Sequence, residues 1–228
     1  REIEAFAAAF PDGPAPEASA GPVPEAAEPV PPLDGLVVPS AVAFVATAVP
    51  AALLGRKEHA HEAVLAHLLS TGYLWEKIRM KGGAYGAFCS ALGRDEVFSF
   101  ASYRDPNIAS TLAAFREALE SIARDGVAPE SAKNAVIGTV AKDMKPLSPG
   151  GKSIIGFKRS LYDLSDELRA RHQGHVLETG VEDLTAAARR LLSGFESGFS
   201  AVIAGRLALE EAAGVLPGLA AATTEVLL

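Results

Sequence analysis

An arginine and a tyrosine stand on either side of two glycines in a run that could bind and polarise a peptide bond. The run extends from Tyr73 to Gly86 and contains Arg79, Gly82, Gly83 and Tyr85. A forked guanidinium can hold a carbonyl or carboxylate oxygen. A phenol can donate to an oxygen that becomes negative during hydrolysis, and paired glycines let another backbone approach closely. The structural alternative is a cationic helix end, capped by glycine and followed by a core tyrosine.

A group of histidines and glutamates is the candidate for a metal site: His59, His61 and His67, with Glu58 and Glu62. A metallopeptidase helix carries His-Glu-x-x-His or His-x-x-Glu-His. Both motifs are incomplete here, because each lacks its second histidine. His61 and His67 are six positions apart, which places them about 120° out of alignment on a helix. We therefore predict no metal site, and expect an exposed polar helix face both here and at His172 and His175.

Two other candidates fail on their context. The run Gly150 to Ser153 resembles the end of a phosphate-binding loop, but the position of the first glycine in that pattern holds Pro146. Cys89 is the only cysteine and lies in an apolar stretch, where a thiol usually packs as a small hydrophobe. We expect neither nucleotide binding nor thiol chemistry.

The arginine and the tyrosine must be positioned by a helix, a glycine turn and a hairpin. Apolar spacing predicts a helical region from Arg56 to about Lys81, with a possible break at Gly72. Strands at about 84–92 and 96–103 form the hairpin. Asp105-Pro106 then predicts a helix start with aspartate as the cap. For the preceding Arg104 we favour pairing with a carboxylate over contact with substrate.

The remaining elements predict an α+β fold. Besides the hairpin, we expect strands at about 37–48 and at Phe199–Ala204. Further helices are expected at about 129–144, 153–163, 165–178 and 180–192 and near Ala213, the fourth with a Thr179/Glu182 capping box. This order predicts a mainly antiparallel sheet with helices packed on one face, an α/β sandwich.

The first 35 residues are predicted to precede the folded domain. Residues 1–10 suggest the end of a preceding helix, and 11–35 a Pro/Ala/Glu-rich linker, so the domain is expected at 36–228. Because the chain does not start with methionine, we expect it to be a piece of a longer protein. Residues 36–54 are uncharged and near membrane-span length, but their prolines and valines favour a buried strand.

The overall charge argues against a nucleic-acid partner. The net charge is -7, whereas a nucleic-acid surface needs clustered Lys and Arg. Apolar residues make up 49% and charged residues 21%, which suits a soluble globular protein. We expect neither a nucleic-acid nor a membrane partner, and favour a soluble, cytoplasmic location.

The central motifs resemble a known family. Tyr73 to Gly86 and Ser102 to Asn107 are similar to segments of the presequence-protease branch of the insulinase (pitrilysin-like) zinc peptidases. Val37 to Val45 resembles the first strand of that family's final domain, and Leu164 to Leu184 is similar in pattern. The resemblance covers about 36–205.

This resemblance implies two homologous halves that close around a chamber, in which unstructured peptides are degraded. It places zinc and its ligands in the N-terminal half, so we expect that half to be this chain's partner and no zinc to be bound here. The C-terminal half supplies an arginine and a tyrosine. Tyr85 matches the catalytic tyrosine, and the substrate-binding positions match Arg79, Gly82, Gly83 and Ala84.

Two alternatives to a peptidase stay open at this point. One is a non-catalytic subunit or scaffold of the same fold, which an upstream His-x-x-Glu-His would argue against. The other is a membrane-anchored protein that uses residues 36–54, which would need detergent for solubility.

Overall fold

One six-stranded sheet forms the framework of the part of the chain that the computed structural model describes, residues 32–216, 218, 219 and 223–225. The strands are β1 (Leu33–Val37), β2 (Ala43–Pro50), β3 (Gly86–Leu92), β4 (Val97–Asp105), β5 (Phe199–Ala204) and β6 (Thr223–Glu225). The helices are α1 (Lys57–Thr71), a π-helix (Trp75–Lys81), α2 (Ala109–Asp125), α3 (Pro129–Asp143), α4 (Pro149–Leu161), α5 (Asp166–Leu177), α6 (Val181–Ser193) and α7 (Arg206–Ala213). The predicted helix end and most of the predicted linker, residues 1–31, lie outside the described residues.

The sheet is mixed but mainly antiparallel. Its strand order is β3-β4-β2-β5-β1-β6. Strands β3, β4, β2 and β5 pair antiparallel in succession, whereas β1 pairs parallel with both β5 and β6. The predicted α+β fold with a mainly antiparallel sheet is confirmed.

The core lies between one face of the sheet and the helices. In β2, Val45, Thr47 and Val49 are buried and alternate with more exposed residues, as expected when one face of a strand is covered. Phe98 and Phe100 of β4 are also fully buried. The Phe100 ring stacks on that of Phe115 in α2, with ring centroids 5.3 Å apart. Aromatic packing therefore joins the strand that leads into the candidate site to the helix that follows it.

The strand predicted over 37–48 is two strands. The first begins at Leu33, inside the predicted linker, and the second begins at Ala43. Pro39, which has no N–H to donate, lies between them. Ser40 then closes a tight turn, because its hydroxyl both donates to the Val42 carbonyl (2.7 Å) and accepts from the Val42 N–H (3.2 Å).

The segment 36–54 therefore contributes to two strands rather than to a helix, which contradicts the membrane-anchor alternative for this segment. Among the residues described, no helix combines the length and apolar character needed to cross a bilayer.

Helices α4 and α6 begin differently from what the sequence predicts. Helix α4 begins at Pro149, earlier than predicted, because the Ser148 hydroxyl accepts from the Gly151 N–H (3.2 Å) and caps the helix. Helix α6 uses Gly180 and Asp183 instead of the predicted Thr179/Glu182 pair. The Asp183 carboxylate accepts from the Gly180 N–H (3.0 Å).

We predict that Phe100→Ala lowers the free energy of unfolding by about 3–5 kcal/mol, because it removes a buried ring and leaves a cavity between β4 and α2. Phe88→Ala is the matched control, since Phe88 lies on neighbouring β3 with its side chain 49% exposed. Urea unfolding followed by circular dichroism measures both. Equal losses for the two variants would contradict this description of the core.

Candidate functional site

The candidate site begins at the π-helix that follows α1. Two of its three cations are paired within this part of the fold. Lys81 contacts Glu76 at 2.6 Å and Lys77 contacts Glu117 at 3.3 Å. Arg79 is exposed, and among the described residues its guanidinium has no hydrogen-bonding or ion-pairing partner. The donors of Arg79 are therefore available to a ligand.

Two glycines turn the chain from the π-helix towards β3. Gly83 has a φ of 81°, which a residue with a side chain rarely adopts. Its N–H donates to the Arg79 carbonyl (3.1 Å). Gly82 is required for a different reason, because a Cβ there would lie 2.5 Å from the Ile78 carbonyl oxygen. The next residue, Ala84, has a buried side chain, and its N–H donates to the Ile78 carbonyl (3.1 Å).

Tyr85 presents its phenol on the surface. The side chain is 60% exposed. Its ring meets the Tyr103 ring edge to face, with centroids 5.1 Å apart, and its N–H donates to the Arg104 carbonyl (3.3 Å). No hydrogen bond of the hydroxyl to another described residue is observed. The alternative of a core tyrosine is therefore wrong, and the phenol is free to donate to a ligand.

A buried carboxylate holds this turn in place from the end of β4. Asp105 is completely buried. Its carboxylate accepts from the Asn107 N–H (2.9 Å) and from the Thr111 hydroxyl (2.8 Å). The Asn107 side-chain amide in turn donates to the Gly82 carbonyl (2.6 Å). Asp105 thus joins the turn to α2 rather than acting as the predicted cap at the first residue of the helix, which begins at Ala109.

The sequence predicts no role for Asn107 and Thr111. The signal that could have found Asn107 is the Asp-x-Asn spacing, since an aspartate often accepts from the backbone N–H two residues on. Neither Arg79 nor Tyr85 lines the adjacent groove of about 430 Å³, whose walls include Lys77, Gly82 and Asn107. Both residues are exposed.

The predicted exposed histidine face is wrong for α1. His59 and His61 are buried, and Glu62 is completely buried. Helix α1 is covered by other helices, and the His59 ring packs against that of His172 in α5 with centroids 4.9 Å apart. These polar side chains therefore pack between helices.

Glu62 ties α1 to its surroundings. Its carboxylate accepts from the Ala52 N–H (3.0 Å) and from the Arg190 guanidinium (2.8 Å). With its oxygens occupied in this way, Glu62 cannot serve as a metal ligand or a general base where it lies. In the described part of the chain, no group of three or more His, Cys, Asp or Glu side chains could hold a metal ion. These residues do not fit a zinc ion.

The buried thiol takes no part in the site. Burial raises the pKa of Cys89 to about 12. The Cys89 thiol donates to the Ala66 carbonyl at 3.3 Å. The prediction that it packs as a small hydrophobe is confirmed.

The chain matches a known protein family over most of its length. Residues 34–204 match the model of the PreP C-terminal domain. This chain belongs to the PreP C-terminal domain family. The match includes the π-helix, the Gly82–Gly83 turn and the whole β3–β4 hairpin, so the predicted resemblance is confirmed over the elements that build the site.

Relatives of this PreP C-terminal domain include presequence proteases. Presequence protease 1 of Arabidopsis thaliana, named chloroplastic/mitochondrial, is 31% identical over 150 residues, which are 66% of this chain and 14% of that protein. The mitochondrial presequence protease of Xenopus laevis is 32% identical over 136 residues, 60% of this chain and 13% of that protein. The chain thus spans about one seventh of these relatives. The expected cytoplasmic location of this chain stays a prediction.

Solved structures support the fold. A protease from Helicobacter pylori superposes with a TM-score of 0.62 at 18% identity, covering 75% of this chain and 43% of that chain. A peptidase M16 inactive domain from Pseudomonas fluorescens gives 0.60 at 18% identity and covers 89% of this chain and 50% of that chain. The PreP C-terminal domain described here shares this architecture.

We predict that Asn107→Ala lowers the free energy of unfolding by about 0.5–1.5 kcal/mol, because the Gly82 carbonyl loses its hydrogen bond. Asn134→Ala is the matched control, since Asn134 is exposed on α3 and alanine favours helix. Urea unfolding of both variants tests this, and hydrogen exchange should show faster opening of the Gly82–Gly83 turn in Asn107→Ala alone. Equal stability of the two variants would contradict the role of Asn107.

Because several histidines are buried, we predict that the free energy of unfolding decreases as the pH is lowered from neutral. Burial lowers the pKa values of His59, His61 and His67 from the ordinary value of 6.5. The unfolded chain therefore binds more protons than the folded chain as the pH falls through 6.5, and the stability present above that pH is progressively lost. We expect urea midpoints to decrease from pH 7.5 to 5.5, and His59→Phe to flatten the decrease. A midpoint independent of pH in this range would contradict the prediction.

Proposed function

We propose that this chain is the C-terminal, non-zinc-binding part of a zinc metalloendopeptidase that degrades short or unfolded peptides in a closed chamber. Membership of the PreP C-terminal domain family and the names of the presequence-protease relatives support this proposal. The single observation that carries the residue assignment is the 60% exposure of Tyr85, which follows the glycine turn after the π-helix, in which Arg79 is also exposed.

Arg79 is suited to holding a peptide. A guanidinium presents five donors in a fixed planar fork, which matches carbonyl and carboxylate oxygens. The two lysines of the same π-helix are occupied by Glu76 and Glu117, whereas Arg79 is available. The adjoining glycines Gly82 and Gly83 have no side chains that would keep a peptide backbone from this turn. We therefore assign Arg79 and the glycine turn to substrate binding.

Ala84 contributes to substrate binding only indirectly. Its side chain is buried, and its N–H is used by the Ile78 carbonyl. What it supplies is a fixed link between the glycine turn and the residue that follows. The backbone position of Tyr85 is therefore set by two hydrogen bonds, from the Ala84 N–H to the Ile78 carbonyl and from the Tyr85 N–H to the Arg104 carbonyl.

Tyr85 is suited to stabilising negative charge on the substrate. When water attacks a peptide bond, the carbonyl oxygen gains negative charge and accepts a stronger hydrogen bond than before. A phenol already aimed at that oxygen favours the transition state over the ground state. The ring is held by the Tyr103 contact and the backbone by Arg104, so little reorganisation is needed during the reaction.

The zinc ion and its ligands belong, in this proposal, to the N-terminal half of the same protein, which is also this chain's partner. The described residues do not fit zinc, so the chain alone is expected to be inactive. A peptide held between two halves meets Arg79 and Tyr85 only when the halves close. Closure would then couple catalysis to substrate size and favour unfolded chains.

We predict that Tyr85→Phe in the full-length protein lowers kcat for an unstructured fluorogenic peptide about a hundredfold or more, since one donor to the developing oxyanion is lost. Arg79→Ala should raise KM about tenfold or more, because a hydrogen bond from a charged group is lost. Initial rates over a range of peptide concentrations separate the two effects.

Tyr162→Phe is the control for loss of a phenol, since Tyr162 is a partly exposed tyrosine elsewhere in the fold, at the end of α4. It should retain the wild-type rate. Wild-type kinetics in both Tyr85→Phe and Arg79→Ala would refute the assignment of these residues. A full-length protein without His-x-x-Glu-His that cleaves no peptide would instead favour the non-catalytic subunit.

A further inference from the structure

We propose that Arg104 is a further substrate-binding residue, which holds a carboxylate of the peptide beside Tyr85. The inference rests on the proposed function and adds a substrate feature to it. The carboxylate is either the C-terminus of the peptide or an Asp or Glu side chain, because these are the anionic groups that an unmodified peptide carries.

Arg104 is the extra residue of a β-bulge. Tyr103 of β4 pairs with Phe44 of β2, and Asp105 pairs with Ala43, so Arg104 has no partner between them. Its φ is 52°, in the left-handed region that disfavours residues with side chains. Bulges change the direction in which a side chain points and are common next to active sites. Backbone conformations of this kind also concentrate at functional sites.

The bulge couples Arg104 directly to Tyr85. The Arg104 carbonyl accepts from the Tyr85 N–H (3.3 Å), and its guanidinium carbon lies 5.6 Å from the centroid of the Tyr85 ring. A guanidinium over an aromatic face is stabilised by the ring and keeps its in-plane N–H donors free. The fork of donors is therefore held next to the phenol.

The predicted pairing of Arg104 with a carboxylate of this chain is not observed among the described residues. The adjacent Asp105 is buried, and its oxygens are occupied by Asn107 and Thr111. Arg104 itself is exposed. Several arginines elsewhere in the fold do pair with carboxylates: Arg116, Arg124, Arg169 and Arg190. Arg104 thus offers the bidentate geometry that suits a carboxylate supplied from outside the chain.

The test compares Arg104→Gly and Arg104→Lys in the full-length protein. Glycine removes the guanidinium and accepts the positive φ, so the melting temperature should be unchanged or higher. Lysine keeps the charge without the planar fork. The matched control is Arg94→Gly, which removes another guanidinium stacked on a ring, that of Tyr162, in the turn of the same hairpin.

Four versions of one fluorogenic peptide separate the carboxylate sources. They carry a free or an amidated C-terminus, each with one internal Glu or Gln. We expect Arg104→Gly to lower kcat/KM about tenfold or more, mainly through KM, for peptides with the recognised carboxylate. Peptides without it should change less than twofold. Arg104→Lys should be intermediate, and Arg94→Gly should match the wild type with all four.

An equal loss with all four peptides, or no loss with any, would overturn the role of Arg104. Tyr85→Phe is assayed in parallel. If it loses activity while Arg104→Gly does not discriminate among the peptides, only this inference fails. If Tyr85→Phe is fully active, the catalytic role that the proposed function gives to Tyr85 fails instead. Should no peptide be cleaved, fluorescence anisotropy with labelled peptides measures the same discrimination as binding, and equal affinities for all four would again refute the inference.

Discussion

The candidate site depends on one buried carboxylate, that of Asp105. A buried charge is tolerated only when hydrogen bonds replace its water, and two donors from the next six residues do so. One of those residues, Asn107, then fixes the Gly82 carbonyl across the turn. The end of the π-helix, the end of β4 and the start of α2 are therefore joined at one point, and the exposed side chains of the site project from a rigid support.

The polar residues that pack the fold and the polar residues that could contact a ligand lie in different parts of the chain. His59, His61 and Glu62, which are candidate metal ligands in the sequence, are buried and pack between helices. The residues with free donors, Arg79, Tyr85 and Arg104, lie in the π-helix and at the ends of the two hairpin strands, where the backbone is bent by a glycine turn and by a bulge. Strain and exposure thus coincide at the site, while buried polar groups lie in the helical layer.

Elements with a clear apolar period could be predicted from the sequence. Strand β5 occupies the predicted residues, and the β3–β4 hairpin differs only at its ends, because alternation and turn residues are local signals. The histidine face could not be predicted, since α1 is covered by helices distant in sequence. The Arg104 bulge was also invisible, because it arises from the pairing of β4 with β2. The resemblance supplied Arg79 and Tyr85, but their exposure follows from long-range packing.

The π-helix makes the site more sensitive to insertions and deletions than to substitutions. A π-helix is closed by i→i+5 hydrogen bonds, one residue longer than those of an α-helix. Deleting one residue between Trp75 and Arg79 would allow the segment to return to α-helical geometry. Each residue turns an α-helix by about 100°, so the guanidinium would then point in a different direction. Homologues that keep the arginine but differ in the length of this segment should therefore present its guanidinium in a different direction.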